Sequence, residues 1–408
     1  MEFDLRYGKQ IISFTIPDNS SILRIKEPAY NITEDSFDDM LNSLLNTRSR
    51  KYNNTGIVIS DKTRLCDYHL YLPWLLKVLE SNGAGPENIT FYIAYGTHPQ
   101  QTDEESLNSY GETYRNYRFI HHDCNDLKLF VNLGTTSRGT PVLVRRDVLD
   151  STLLITFGAI SHHYFAGFGG GRKLLFPGLA EKKAIYHNHS LFLNHETRHL
   201  DEGCQPGSLS GNPVAEDLGE INRLLPDRIS LHGILNSKGK VCRLIAGKDY
   251  TDFEKVCRIH DNHFKCTSGL QFDMVLASGG GYPKDINFIQ AHKGVHHAAS
   301  FVKDGGRLII LTECRDGIGN NAFLPVFNEG SWDKMFDKLS RNYSGNGGTA
   351  LAMKAKTERI KIFMFTSLDE ATCRLMGALK TGTEEINNIL ESETGTLGVI
   401  ENASMLIR

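Results

Sequence analysis

The chain has few features that would place it at a membrane, on nucleic acid or in an oxidising compartment. Its 408 residues carry a formal net charge of −3, so there is no overall basic surface for nucleic acid. No segment approaches the roughly 18 apolar residues that a membrane-spanning helix needs. Residues 1–6 lack the basic flank and apolar run of a secretion signal. We therefore expect a cytoplasmic protein without nucleic-acid or membrane partners.

The cysteines also give no indication of disulfide bonds or of a cysteine-based metal site. The eight cysteines are scattered, with no Cys-x-x-Cys pair and no metal-finger spacing, so we expect reduced thiols. A hydrophobic content of 40% and a charged content of 23% are typical of a globular protein. At about 150 residues per domain, the length predicts two domains.

What the sequence does contain is a glycine-rich segment at residues 160–179, directly after a run that predicts a buried strand at residues 153–157. Glycine occupies four of the five positions from 167 to 171. Such a run costs backbone order, which is tolerated where the main chain approaches a ligand or takes a positive φ. Large apolar residues flank it, which argues against a solvated turn: Phe165, Phe168, Leu174, Leu175 and Phe176. We interpret the segment as part of a functional site.

Two common phosphate-binding motifs do not fit this segment. A P-loop requires a hydroxyl residue after its lysine, but Leu174 follows Lys173. A dinucleotide fingerprint requires glycine where Arg172 stands. The backbone amides of residues 169–171 could still form an anion-binding nest.

Strand and helix patterns alternate along the chain, which predicts an α/β fold with mainly parallel sheets. Polar clusters follow three predicted strands, at residues 61–64, 96–98 and 162–173. Ligands of such sheets bind beyond the carboxyl ends of the strands. A second α/β pattern begins near residue 272, so we predict domains at 1–265 and 266–408, with the last 20 or so residues able to pack back on the first. Residues 344–348 read as a surface turn.

The residue types in these clusters suit proton transfer and anion binding. His98 together with His162 or His163 would place two imidazoles in one crevice, and the residues alone do not distinguish the latter two. Arg64 is a candidate for binding a carboxylate or phosphate through two hydrogen bonds. Three histidines of a predicted helical stretch are candidate metal ligands: His187, His189 and His195.

A set of motifs spread from the first residues to beyond residue 320 resembles the nickel-dependent lactate racemase family, LarA. The motifs are Asp61-Lys62-Thr63-Arg64, Gly96-Thr97-His98, His163-Tyr164-Phe165-Ala166-Gly167, Gly170-Gly171-Arg172-Lys173, Pro177-Gly178, Asn188-His189 and Gly280-Gly281-Tyr282-Pro283-Lys284-Asp285-Ile286-Asn287. The segment from His163 to Lys173 carries most of the resemblance.

The resemblance implies an activity and a cofactor. The chain would be a 2-hydroxyacid racemase or epimerase that uses reversible, proton-coupled hydride transfer through a 2-oxo acid intermediate. The cofactor would be a nickel pincer nucleotide, pyridinium-3,5-bisthiocarboxylic acid mononucleotide nickel, attached covalently to Lys173. Cofactor-biosynthesis proteins would then be transient partners.

The resemblance also implies roles for individual residues. His98 and His163 would transfer protons, and His189 would bind the nickel. Residues implied to bind the cofactor, besides Lys173, are Asp61, Thr63, Gly170, Gly171, Pro177 and Gly178. Residues implied to bind substrate are Arg64, Gln290 and Lys293, which places the active site in the cleft between the two domains.

Two other functions remain compatible with these residues. A nicotinamide-dependent 2-hydroxyacid dehydrogenase shares the arginine and histidine chemistry but lacks the glycine fingerprint here. A non-catalytic nickel or nucleotide-binding protein would need neither proton-transferring histidine. The substrate is open as well, because Leu65 follows the arginine where the family commonly has proline, and Pro99 follows the histidine where a basic residue is common. Malate, an aromatic hydroxy acid or a sugar acid is as compatible as lactate.

Overall fold

The computed structural model describes residues 1–45 and 52–408. Within these ranges the chain forms two six-stranded sheets and four two-stranded ribbons. None of the helices in these ranges combines the length and hydropathy that crossing a bilayer requires.

The strands, in chain order, are β1 Glu2–Tyr7, β2 Gln10–Thr15, β3 Ser21–Leu23, β4 Thr55–Ser60, β5 Ile89–Ala94, β6 Arg118–His121, β7 Phe130–Thr135, β8 Pro141–Arg145, β9 Leu153–Ala159, β10 Ser161–His163, β11 Gly167–Gly169, β12 Leu193–Asn194, β13 His199–Leu200, β14 Ile229–Leu235, β15 Val241–Gly247, β16 Phe272–Ser278, β17 Val302–Leu311, β18 Lys361–Phe365, β19 Leu379–Lys380 and β20 Leu397–Ile400. The α-helices are α1 Glu34–Leu45, α2 Tyr68–Ser81, α3 Asp103–Tyr110, α4 Thr113–Asn116, α5 Arg146–Leu149, α6 Lys182–Ser190, α7 Pro213–Leu224, α8 Tyr250–Phe264, α9 Phe288–Ser300, α10 Trp332–Arg341, α11 Gly347–Arg359, α12 Glu370–Leu375 and α13 Thr383–Glu391.

The first sheet has the strand order β15-β14-β9-β4-β5-β6. All its pairs are parallel except β14 with β15. Every residue of β4 is buried, as is every residue of β9 but the last, as expected of strands covered on both faces. Apolar residues of α1 and α2 pack on one face, and those of α6 and α7 on the other. The prediction of an α/β fold with mainly parallel sheets is confirmed.

The second sheet has the order β19-β18-β17-β16-β20-β3 and is parallel throughout. Its larger core lies against α9, α10 and α11. Helix α13 and the β1–β2 hairpin cover the other face.

The two ends of the chain cross the boundary at residue 265. Strand β3 pairs with β20, and Phe3, Leu5 and Phe14 pack with apolar residues of the second sheet. The first 23 residues therefore lie with the second sheet, although the sequence-based boundary assigns them to the first domain. At the other end, Ile407 forms main-chain hydrogen bonds with Phe264 and Cys266, so the last residues contact the end of α8.

The prediction of a surface turn at residues 344–348 is confirmed for residues 344–346, which are partly exposed and include a turn, but it is wrong for the last two residues. Helix α11 begins at Gly347, and both Gly347 and Gly348 are buried. A Cβ atom at Gly348 would lie 2.4 Å from the Tyr343 hydroxyl, so the glycine is required by close packing rather than by mobility. The Thr349 hydroxyl of this helix is hydrogen bonded to that of Tyr164 at 2.8 Å, which joins the two halves of the chain.

Candidate functional site

Three polar segments lie beyond adjacent strands of the first sheet, because β9, β4 and β5 are neighbours in it. A 3-10 helix, Lys62–Arg64, follows β4, and the loop containing His98 follows β5. The β10–β11 hairpin follows β9. Parallel strands end at the same edge, so the three segments are brought to one side of the sheet.

Asp61 lies at the centre of the first two segments and is almost fully buried. Its Oδ1 accepts hydrogen bonds from the Thr63 amide at 2.8 Å and the Thr63 hydroxyl at 2.5 Å. Its Oδ2 lies 2.7 Å from His98 Nδ1 and 3.9 Å from Arg64 Nη1. Burial alone would raise the pKa of Asp61, but the contacts with His98, Arg64 and Thr63 outweigh it and hold the pKa below its usual range.

The carboxylate of Asp61 fixes the proton of His98. Since a carboxylate only accepts, His98 Nδ1 carries the hydrogen and donates it to Asp61. The neutral ring then has an unprotonated Nε2. Arg64, whose side chain is 41% exposed, lies with Nη1 3.4 Å from the same Nδ1 and keeps donors available for an anion.

His163, at the end of β10, has the opposite arrangement. Its Nδ1 accepts a hydrogen bond from the Ala166 amide at 3.2 Å, so the neutral ring carries its hydrogen on Nε2. Burial and then the charges of Lys173, Lys293 and Arg64 lower the pKa of His163 well below its usual value. The neutral imidazole is therefore the stable form near pH 7.

Lys173 belongs to a 3-10 helix, Gly171–Leu174, that follows the hairpin. Its amine lies 5.8 Å from the centroid of the Phe165 ring. The same ring packs at 4.6 Å from His163 and 5.1 Å from His189, so Phe165 contacts all three groups. Burial, followed by the charges of Arg64, Arg172 and Lys293, lowers the pKa of Lys173 well below its usual value. This favours the neutral, nucleophilic amine.

His189, in the last turn of α6, is the best candidate metal ligand near Lys173. Its Nε2 is buried and has no hydrogen-bond partner among the described residues. Burial, and then the charges of Lys173, Arg64 and His98, lower its pKa to about 3. A neutral imidazole with an unpaired nitrogen is the state that binds a metal ion.

The second half of the chain contributes cations to the same region. Lys293 Nζ, on α9, donates to Gln290 Oε1 at 3.1 Å. Burial and the charges of Arg64 and Lys284 lower the pKa of Lys293 to about 7. Lys284 is exposed over part of its side chain, but desolvation by the surrounding protein atoms and the charge of Arg64 lower its pKa. Arg64 thus lies close enough to influence three lysines, Lys173, Lys284 and Lys293, while Asp61 is a carboxylate neighbour of Arg64 and Lys293. This excess of positive charge suits an anionic ligand.

The glycines before Lys173 are explained by packing within the protein. Gly170 has φ of +74°, and a Cβ atom there would lie 2.1 Å from the Ala159 carbonyl oxygen. A Cβ atom at Gly171, where φ is +52°, would lie 2.5 Å from the Phe253 ring. The predicted role of Gly170 and Gly171 in cofactor binding stays a prediction.

Pro177 and Gly178 connect the lysine segment to the His98 loop. The Gly178 amide donates to the Lys173 carbonyl at 3.0 Å, and the Gly178 carbonyl accepts from the Gly96 amide at 2.8 Å. Their direct role toward a cofactor also stays a prediction, but the contacts show that they help set the position of Lys173 relative to His98.

The remaining candidate histidines lie elsewhere. His162 points away from His163 and is hydrogen bonded to Asp261 at 2.7 Å. His187 contacts the Thr140 hydroxyl at 3.0 Å, and His195 packs on Phe336.

Sequence reasoning left three contributors without a role. The sequence predicts Phe165 only as an apolar flank, does not predict the contact of Tyr164 with α11, and includes Lys284 only as part of a motif. For Phe165 and Tyr164, the sequence feature that could have indicated a role in the site is their position directly after His163. Nothing local in the sequence indicates that Lys284 approaches Arg64.

Comparisons with known proteins identify the relatives of this chain. Residues 7–201 match the family model described as lactate racemase N-terminal domain, and residues 267–346 match the lactate racemase C-terminal domain. A lactate racemase of Thermoanaerobacterium thermosaccharolyticum is 30% identical over 338 residues, covering 80% of this chain and 78% of the relative. A lactate racemase of Lactiplantibacillus plantarum is 30% identical over 332 residues, covering 78% and 76%.

Solved structures agree with the sequence comparison. The lactate racemase apoprotein from Thermoanaerobacterium thermosaccharolyticum superposes with a TM-score of 0.85 at 25% identity, covering 100% of this chain and 99% of that one. A protein from Thermotoga maritima shares the fold, with a TM-score of 0.69 at 16% identity, over 95% of this chain and 100% of that one.

Proposed function

The chain belongs to the lactate racemase family, and on that premise we propose that it inverts the hydroxyl-bearing carbon of a 2-hydroxy acid. One observation carries the proposal: beside an arginine, Nδ1 of His98 contacts the Asp61 carboxylate, whereas Nδ1 of His163 accepts from the Ala166 amide, so the neutral rings would differ in which one has a free Nε2. Racemisation must remove and return a proton for either enantiomer. Two histidines meet that requirement when one, as the neutral ring, accepts the hydroxyl proton of the substrate and the other, as imidazolium, returns a proton to the oxygen of the 2-oxo acid. The two roles are exchanged for the other enantiomer.

His98 is the proton acceptor in the resting state. Asp61 holds its Nδ1 hydrogen, so Nε2 is free to take the hydroxyl proton of one enantiomer. The buried carboxylate stabilises the imidazolium that forms. In this proposal Asp61 and Thr63 act on His98, rather than contacting the cofactor as the family resemblance implies.

His163 is the complementary donor. Its neutral ring carries the hydrogen on Nε2, because Nδ1 accepts the Ala166 hydrogen. Donation from Nε2 therefore requires a second proton on the ring, at Nδ1, since an imidazolate would otherwise form. The surrounding cations oppose a second proton on the ring, which keeps its pKa low. Binding of an anionic substrate would offset those cations and make protonation easier at the moment it is needed.

Arg64 binds the substrate carboxylate through two hydrogen bonds, and Lys293 with Gln290 approaches from the second domain. The charge contacts of Lys293 and Lys284 with Arg64 support an active site between the two domains. Fixing the carboxylate leaves the reacting carbon as the part that reorients between the two histidines.

The residues present fit the nickel pincer nucleotide. Lys173 is a buried amine held in a form that can make a covalent bond, and His189 offers an unpaired, neutral imidazole nitrogen. The cation-rich surroundings suit a phosphate, and Gly170, Gly171, Pro177 and Gly178 position the lysine segment. When bound, the nucleotide supplies an acceptor for the α-hydrogen as hydride, so that the substrate passes through a 2-oxo acid.

Loading is tested by mass spectrometry of the intact protein after co-expression with the proteins that make the cofactor. We expect one added mass on the unsubstituted chain and none on Lys173→Met. His189→Ala should keep the added mass but lose nickel. No added mass on the unsubstituted chain, in cells that load another member of the family, would contradict the assignment.

Activity is tested on the loaded protein with enantiopure 2-hydroxy acids, followed by chiral chromatography. The panel contains lactate, malate, an aromatic hydroxy acid and a sugar acid, because Leu65 and Pro99 are exposed beside Arg64 and His98. We expect inversion of at least one of them. Net oxidation that depends on added NAD would instead indicate a dehydrogenase. Nickel binding without inversion, unaffected by substituting both His98 and His163, would indicate a carrier.

A further inference from the structure

A second cluster of metal-binding side chains lies on the far side of β10 from the candidate active site. His162 of β10 meets His260 and Asp261 of α8, and one ligand atom from each lies within 4.8 Å of the others. His162 Nε2 is 2.7 Å from Asp261 Oδ1, and the rings of His162 and His260 pack edge to face at 4.5 Å. Neither the family resemblance nor the proposed chemistry uses this cluster.

One polar atom of the cluster has no hydrogen-bond partner. His260 Nδ1 is buried and has no hydrogen-bond partner in the part of the chain that the structure describes. An unpaired polar atom in the interior is unfavourable unless something fills its coordination. A cation would accept the lone pair of a neutral imidazole.

His297, on α9 of the second domain, extends the cluster. Its ring centroid lies 6.5 Å from that of His162. Its Nδ1 donates to the Ala403 carbonyl at 2.8 Å, which leaves Nε2 unprotonated, and that atom too is buried and unpartnered among the described residues. Metal-binding histidines commonly donate their second nitrogen to a backbone carbonyl in this way.

We propose that His162, His260 and Asp261 bind a divalent cation of the zinc class, with His297 as a candidate fourth ligand. Two imidazoles and one carboxylate form a donor set that zinc accepts. Two ligand atoms of one zinc ion lie about 3.3 Å apart, given bonds of about 2.0–2.1 Å. His162 and Asp261 therefore need to separate by less than about 1 Å.

The position of the cluster suits a structural ion. The Asp261 side chain is 25% exposed, so it can adjust and admit the ion from solvent, whereas that of His162 is buried. Bound metal would connect β10, and hence the neighbouring His163, to α8, and through His297 to the second domain. The proposal does not depend on racemase activity or on the nickel nucleotide.

The test uses the full chain expressed without the cofactor-making proteins and freed of metal by a chelator. Titration with ZnCl₂ against a competing chelator should give one equivalent of tightly bound zinc. CoCl₂ should give the intense visible absorption of a four-coordinate site. Zinc should also raise the melting temperature by several degrees, because it binds the folded chain.

Variants separate this cluster from the active site. His260→Gln and Asp261→Asn should each weaken zinc binding by at least about tenfold to 100-fold and remove the cobalt spectrum. His189→Ala, in the candidate nickel site, should retain both. His263→Gln is the matched control, since it lies on the same helix but contacts the Lys26 carbonyl instead.

Three results would overturn the proposal. One is the absence of stoichiometric zinc binding by the unsubstituted chain. Another is binding that disappears with His189→Ala, and the third is binding that His260→Gln and Asp261→Asn leave unchanged. Circular dichroism of each variant shows whether it folds, and Asp261→Asn provides a second reading if His260→Gln does not.

Discussion

The two faces of β10 differ as much as any two regions of this molecule, although they are presented by the adjacent residues His162 and His163. The face with His163 meets Arg64, Lys173 and Lys293 and is short of negative charge. The face with His162 meets a carboxylate and a second imidazole. Consecutive side chains of a strand point to opposite sides, so two identical residues can serve an anion site and a cation site.

The comparison is tested most strongly by substituting each histidine in turn. His163→Gln should reduce racemisation by the loaded protein by about 10²–10⁴-fold, since it removes a proton-transferring group. His162→Gln should reduce it by less than about tenfold. Initial rates in both directions, measured by chiral chromatography, provide the readout. Equal losses in the two variants would show that the faces are not functionally distinct.

The two aspartates that contact these regions allow a second test. Asp61→Asn should lower the turnover number by about 10- to 100-fold, because the amide no longer favours the His98 tautomer with a free Nε2. The loss should appear in the turnover number more than in the Michaelis constant, since Arg64 remains. Asp261→Asn is the matched change on the other face and should have a smaller effect on turnover. The reverse order would refute the assignment of Asp61.

A smaller effect, on thermal stability, is expected from the buried amine of Lys293 on the His163 side. The pKa of Lys293 falls from 10.5 to about 7, so the folded chain binds fewer protons than the unfolded chain between those values. The cost of burying the charged amine is complete below pH 7 and is relieved as pH rises toward 10.5. Lys293→Met should therefore melt above the unsubstituted protein at pH 6, by a margin that shrinks at pH 8 and 9.

Thermal melting across that pH range gives the measurement for Lys293. Lys303→Met, which removes an exposed lysine paired with Asp273, is the control for loss of a surface charge. A melting difference that stays constant from pH 6 to pH 9 would contradict the expected burial of Lys293.

Much of the fold follows from local sequence. The apolar runs of β4, β5 and β9 and the alternation with helices predicted a parallel α/β sheet, because strands buried on both faces need continuous apolar sequence. The start of helix α2, in contrast, is not encoded by a local pattern. The helix begins at Tyr68, whose hydroxyl bonds the Ser60 amide and the Phe157 carbonyl, and no local pattern encodes those contacts.

The rest of the structure depends on long-range packing. Residues 344–348 resemble a loop because glycine is frequent in turns, yet Gly348 is needed where Tyr343 approaches the backbone. The glycines at 170 and 171 had suggested ligand contact, whereas Ala159 and Phe253 account for them. For the site, the position of polar segments directly after predicted strands correctly indicated the edge of the sheet where the polar groups lie. The assignment of His162 and His163 to the two faces of β10 could be made only from the structure or from the family resemblance.

The placement of β3 in the second sheet has a consequence for biosynthesis. Strand β3 precedes every other strand of this sheet along the chain, while its neighbour β20 follows all of them. That edge of the sheet can therefore close only after β20 has been synthesised, whereas β16 and β17, which the β1–β2 hairpin also covers, are available earlier. A truncated product ending at residue 265 would display Phe3, Leu5 and Phe14 to solvent, and a fragment starting after Leu23 is the better unit for isolating the first sheet.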